Sequence, residues 1–200
     1  MRHATLAAAV ALTGSIASAQ EVVGTAVVEG RTVELFDDGT WAARDADENC
    51  EALTPHLSFC GDTAVWVPQP PPGPAINAQY ARTSVIFAQY VSEPLGLEIG
   101  VDMATMEDAV RNNAAAAMGV DPSTVIFEID RKTRVDGFDA RTVGFAYQLG
   151  GFDFYMLNTF GVGETFSFQI MSFEGNTQVK SQALEDVLAE FTELTVLTGP

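Results

Sequence analysis

Apolar and polar positions alternate through most of this chain, and the spacing turns helical in two places. Near the start, Val33 and Leu35 alternate with Thr32, Glu34 and Phe36. Asp37-Asp38-Gly39-Thr40 supplies a turn with a glycine free to adopt positive φ, and Trp41 begins the return strand. Thr63 to Pro68 offers this β-hairpin a third strand. Thr83 to Val91 and Leu95 to Asp102 read as two strands around Ser92-Glu93-Pro94, and Ser123 to Asp130 as a β-branched strand. Val135-Asp136-Gly137-Phe138 is then a turn. From Ala140 to Leu149 the pattern places Val143, Phe145, Tyr147 and Leu149 on one face, with Arg141, Gly144 and Gln148 on the other. Gly150-Gly151 turns the chain into Phe152 to Phe160. A hairpin at Phe160 to Phe166 leads to Thr165 to Phe173. Large apolar groups on both faces of Phe152 to Phe160 predict a strand covered on both sides.

Helical spacing governs the other two stretches. Met106, Val110, Ala114 and Ala117 form one stripe, with Thr105 as cap, Asp108 three residues on, and Gly119 as stop. Val179, Ala183, Leu184, Val187, Leu188, Phe191 and Leu194 form a second and stronger stripe near the end. Strands first, one early helix, a meander and a packing helix last define an α+β fold: an antiparallel β-sheet flanked by helices, an α/β/α sandwich. A small disulfide-bearing β-hairpin module precedes it. The predicted organisation is residues 1–19 as a leader, 20–67 as the hairpin and disulfide module, 68–74 as a Pro-rich linker and 75–200 as the sandwich. The linker rests on Pro68-Gln69-Pro70-Pro71-Pro72-Gly73-Pro74, a composition that favours extended polyproline geometry.

The leader changes the setting. Arg2 and His3 precede an apolar run from Ala4 to Ile16, and Ala17-Ser18-Ala19 places small residues before a cleavage point after Ala19. This is a Sec-type signal peptide. No later apolar run is long enough to span a bilayer, so the expectation is a soluble protein of the periplasm or the cell exterior. In that compartment Cys50 and Cys60, the two cysteines of the chain, are expected to form a disulfide.

Charge narrows the partners. Ten Lys and Arg stand against 27 Asp and Glu, a formal net charge of −17. Such a surface repels phosphate backbones and disfavours nucleic acid, whose non-specific affinity comes from Lys and Arg. Arg131, Lys132, Arg134 and Arg141, beside Asp130 and Asp136, gather much of the sandwich's positive charge near one turn. They are candidates for an anionic partner, or for neutralising neighbouring carboxylates.

Equipped chemistry is scarce. His56 is the histidine that remains after leader removal, and Ser58 lies two residues away, but no Gly-x-Ser-x-Gly elbow accompanies them. Asp45, Asp47 and Asn49 begin like a Ca²⁺ loop. Cys50 then stands where the loop's glycine belongs and His56 where its final glutamate belongs. A looser Ca²⁺ site of Asp45, Asp47, Glu48 and Glu51 is left as an alternative to a solvated acidic turn. No phosphate cradle or cofactor motif is present, and no cofactor is expected.

Several stretches together resemble the PsbP-like superfamily, named for the extrinsic P subunit of photosystem II. They are the Met106-Glu107-Asp108-Ala109-Val110-Arg111-Asn112-Asn113 helix, the Val135 to Thr142 turn into a long strand, the Phe152–Phe160 and Phe166–Phe173 pair, and the closing amphipathic helix. The likeness covers about Ala75 to Leu197. It implies an antiparallel sheet between helical layers, with Gly137 and Ala140 as a structural Gly-x-x-Ala turn. It also implies accessory or assembly roles without a shared catalytic site. The leading expectation is therefore an exported, non-enzymatic accessory or protein-interaction protein. The alternatives are a small-ligand-binding module with a pocket between the sheet and the Met106–Met118 helix, and a hydrolase using His56.

Overall fold

A computed structural model of the chain describes residues 22–28, 31–43 and 50–199. The expected leader, and Asp45, Asp47 and Glu48 of the acidic turn, lie outside the described residues. The first sheet is an antiparallel meander of β1 (Val22–Val28), β2 (Arg31–Phe36) and β3 (Trp41–Ala43). Gly39, at φ 81°, makes its second turn, where the sequence places a glycine. The third strand of this hairpin comes from β1, not from Thr63 to Pro68, where Thr63 to Trp66 form a turn that buries Trp66 and Val67 and Pro68 begin a strand of another sheet.

Next come β4 (Glu51–Thr54) and β5 (Leu57–Phe59), joined by the Cys50–Cys60 disulfide, whose Cα atoms are 4.1 Å apart. The strands β6 (Val67–Gln69), β7 (Ala78–Ala81) and β8 (Ile86–Glu93) follow. After them come α1 (Met103–Met118), β9 (Ile129–Val135), β10 (Phe138–Leu149), β11 (Phe152–Val162), β12 (Ser167–Gly175), α2 (Gln182–Glu193) and β13 (Thr195–Leu197). Seven strands form one antiparallel sheet in the order β6-β7-β8-β12-β11-β10-β9, and β13 pairs with β5 in a small sheet of order β13-β5-β4.

The turns follow from local chemistry. Asp136 and Gly137 both have positive φ, 48° and 83°, as do Gly150 and Gly151, 60° and 85°. Two consecutive left-handed residues match the right-handed twist of the paired strands, so both turns close tight hairpins. The alternation expected in β10 is present, with one revision. Arg141 lies on the same face as Val143 and Phe145, because side chains two apart share a face. It reaches Glu107 of α1 across that face.

Each sheet face has its own core. On one, α2 lays Leu184, Val187, Leu188 and Phe191 against Ile86, Ala88 and Tyr90 of β8, Tyr155 and Leu157 of β11 and Phe168 and Ile170 of β12. Each such side chain stabilises by roughly 2 kcal/mol on burial. Leu57 and Phe59 of β5, with Trp66, complete the same core. The disulfide hairpin is thus built into the main body, and Pro68 lies inside β6 rather than in a linker. A sheet-edge strand tolerates that proline because its missing N–H removes no interior ladder bond. On the other face, α1 lays Met106, Val110, Ala114 and Ala115 on Val143, Phe145 and Phe160.

Three further expectations are revised. Leu95 to Asp102 forms a short 3₁₀ turn at Leu97–Ile99 instead of a strand. The N–H groups of Leu97 and Glu98 donate to the carbonyls of Gly163 and Glu164, which pulls the segment onto the β11–β12 loop. Strand β9 begins at Ile129, because Pro122 to Thr124 first makes a 3₁₀ turn capped by Asp121. Asp102, not Thr105, caps α1: its side chain accepts from the Thr105 N–H at 2.8 Å. Gly119 ends α1 at φ 68°, where the sequence places its stop.

Candidate functional site: a groove between the sheet and α1

A seven-stranded sheet is roughly 28 Å wide at the usual interstrand spacing, and a helix covers about 10 Å of it. On the α2 face, β5 and β13 help to fill the remainder. On the other face α1 is drawn towards the β9–β10 side. Arg111 Nη1 donates to the Val125 carbonyl at 2.6 Å, and Glu107 pairs with both Arg111 and Arg141. The β8–β12 half of that face is left with a groove of about 310 Å³. Val110, Asn113, Ala114 and Ala117 of α1 form one wall, and Ala75 and Ile76 contribute to the opposite rim. The small side chains at Ala114 and Ala117 keep this wall low.

The floor is ordered by strand register. One row across the sheet runs Gln79, Gln89, Met171, Asn158, Val143, and the next runs Phe87, Phe173, Met156, Phe145. A polar row therefore lies beside an apolar one. The Gln89 side-chain amide donates to Gln79 Oε1, and Asn158 Nδ2 donates to Gln169 Oε1 at 3.0 Å. Asn158 is only 2% exposed, and its Oδ1 has no hydrogen-bond partner. A buried acceptor left in this condition costs about 1–3 kcal/mol. Among the described residues Trp66 Nε1, Thr165 Oγ1, Ser167 Oγ and Ser172 Oγ are likewise buried without a partner, and of these five atoms the Asn158 oxygen is the one on a residue lining the groove. Tyr147 lies at one end, stacked on Phe154 with ring centroids 5.1 Å apart, and burial pushes its hydroxyl up to about 12. It is a neutral hydroxyl at ordinary pH. The residues lining this groove include one carboxylate, Glu93, and no Lys, Arg or His. A shallower depression continues past Leu149 and Met156 to Phe87, Phe154, Phe173 and Pro72.

The basic cluster is divided between the two faces. Arg131 makes a two-pronged contact with Glu185 of α2, at 3.0 and 2.6 Å. Arg141 does the same with Asp130, at 2.6 Å on both prongs, and also reaches Glu107 on α1. Arg134 pairs with Asp139 at 3.1 Å, and Lys132 lies beside Arg141 in the β9–β10 register. The hydrogen bond to Arg141 holds the Asp130 carboxyl below its ordinary range, and that to Arg131 does the same for Glu185.

His56 stacks on Phe166 with centroids 4.7 Å apart, and its Nδ1 donates to the Thr198 carbonyl at 2.9 Å. That bond ties the β4–β5 turn to the C-terminal segment. Ser58 is a buried residue of β5. Glu51, from the acidic turn, accepts a bond from the Tyr80 hydroxyl at 3.2 Å.

Ala114, Ala117 and Val110 were legible in the sequence as one helical stripe facing a possible pocket. Asn158, Gln169 and Gln89 were not singled out there. Their one signal is an amide at an inward position of a strand otherwise rich in aromatic and aliphatic groups.

The chain matches no protein-family model and no curated protein. Among solved structures it is similar to "Protein of Unknown Function PA94 from Pseudomonas aeruginosa, Putative Regulator". The identity is 10%, with 88% of this chain and 97% of that chain covered, at a TM-score of 0.38.

Proposed function

We propose that this protein is an exported, non-enzymatic module that holds a small apolar ligand in the groove between α1 and the β8–β12 half of the sheet. One observation carries the reading: a groove of about 310 Å³ with an unpaired, buried amide oxygen, that of Asn158, at its floor. Ligand sites are concave, mostly apolar and furnished with a few placed polar groups, and this groove has that composition. The apolar leader at Met1 to Ala19 and the Cys50–Cys60 bond support export to an oxidising compartment. His56 is bonded to a backbone carbonyl, and Arg131, Arg134 and Arg141 are bonded to carboxylates. This supports a holding role over a converting one. The accessory role implied by the PsbP-like resemblance takes this form: a platform that carries a ligand for another process.

The test is a titration with N-phenyl-1-naphthylamine, a neutral apolar dye whose emission rises in a dry site. Saturable binding at one site per chain is expected. Ala117→Trp, on the exposed wall of α1, should abolish it while leaving the unfolding midpoint unchanged. Absence of saturable binding, or binding unaffected by Ala117→Trp, would reject the groove as the working site.

A further inference from the structure

We infer that the ligand is an uncharged alkyl molecule whose head group donates a hydrogen bond to Asn158 Oδ1, as an alcohol or a carboxamide does. This deepens the proposed function and rests on it.

Asn158 lines the groove, and its Oδ1 is buried at the floor without a hydrogen-bond partner. Its Nδ2 is committed to Gln169, so the complement missing from the floor is a donor. Met156 flanks Asn158 along β11, and Met171 lies opposite it on β12. Both thioether side chains are unbranched and repack easily, so a head group reaches the oxygen by rotation of a side chain and not of the backbone. Charge excludes the commonest alternative head group. A fatty acid carboxylate is an acceptor, not a donor. It would enter a groove without Lys, Arg or His, past Glu93, on a chain of net charge −17. Desolvating an unpaired carboxylate there is far costlier than desolvating a hydroxyl. Size sets the tail. A volume of 310 Å³ admits about ten non-hydrogen atoms at roughly 30 Å³ each, which is a medium-length chain with its head.

The experiment is displacement of N-phenyl-1-naphthylamine from the full chain by 1-octanol, octanamide, 1-methoxyoctane and octanoate. After correction for water–alkane partition, the alcohol and the amide should compete about tenfold better than the ether, which lacks the donor. Octanoate should compete least. Asn158→Leu should lose the alcohol-over-ether preference. Because that variant also removes the bond to Gln169, a second readout uses the unaltered protein. The Asn158 side-chain amide resonances should shift on addition of 1-octanol and not of 1-methoxyoctane. Dye binding with no alcohol-over-ether preference, with octanoate the best competitor, or with unmoved Asn158 resonances overturns the head-group assignment alone. Failure of the dye to bind overturns the groove reading beneath it.

Discussion

Tyr90 of β8 and Thr195 of β13 share a buried hydrogen bond of 2.7 Å, and the Thr195 hydroxyl also donates to the Phe191 carbonyl at 2.8 Å. The end of the chain is thereby fastened through α2 to the centre of the large sheet. The Tyr90 ring stacks on Phe191 with centroids 4.4 Å apart, and complete burial pushes its hydroxyl well above the ordinary value. Thr195→Val leaves the Tyr90 hydroxyl with the Phe191 carbonyl at 3.5 Å as its remaining contact. A loss of about 1–2 kcal/mol is expected, read as a lower urea midpoint with unchanged slope. Thr195→Val and Tyr90→Phe should be strongly non-additive. Additive losses would show that the two hydroxyls do not act as a pair.

Acid should weaken the contact between α2 and β9. Hydrogen bonding to Arg131, and then to Lys180, holds the Glu185 carboxyl below its ordinary 4.5. A carboxylate depressed in the folded state contributes stability above its unfolded value and loses it as pH falls through the folded one. The contribution should therefore be complete near pH 6, begin to fade near pH 4.5 and vanish further down. Glu185→Gln should lower the unfolding midpoint at pH 7 by an amount equivalent to about 1 kcal/mol and cost less at pH 2.5. Equal differences at both pH values would contradict this.

Opening the disulfide should loosen the core, because Phe59 and Leu57 between its cysteines are fully enclosed with Trp66, Tyr80 and Phe191. A loop of this length restricts the unfolded chain by about 2–3 kcal/mol. Thiol labelling of the denatured, unreduced protein should find neither cysteine. Reduction should lower the thermal midpoint by several degrees. A reduced protein with an unchanged midpoint would remove the bond's structural role.

Gly96 is pressed against the β11–β12 loop. A Cβ there would stand 2.3 Å from the Glu164 carbonyl oxygen and 2.6 Å from the Phe166 nitrogen, both backbone atoms that cannot swing aside. Gly96→Ala should destabilise by about 1–3 kcal/mol. Gly73→Ala, with nothing within 4 Å, should be neutral in the same denaturation series. Equal effects at the two positions would deny the close approach.

The sequence made the meander and both helices legible because period and turn chemistry agree there: Gly137 and Gly150-Gly151 mark hairpins, and Leu184 to Phe191 marks a buried stripe. It misled where a segment's conformation depends on a distant carbonyl. Leu95 to Asp102 has the composition of a strand, but Gly163 and Glu164 take its N–H groups. Proline content suggested a boundary at Pro68, yet an edge position tolerates it, and burial of Trp66 draws the preceding turn inward. The groove was half visible. Its alanine wall follows from helical spacing, whereas its amide floor depends on which residues of four strands stand abreast, a matter of register that no local pattern records.

The outer strand β9 carries Asp130, Arg131, Lys132 and, after Thr133, Arg134 at one margin of the large sheet. Another chain seeking to extend the sheet from that side would have to strip water from a dense row of ions and break the links to Glu185 and Glu107's partner Arg141. Strand-to-strand recruitment is blocked at this margin, so concentrated solutions should resist fibril growth from it.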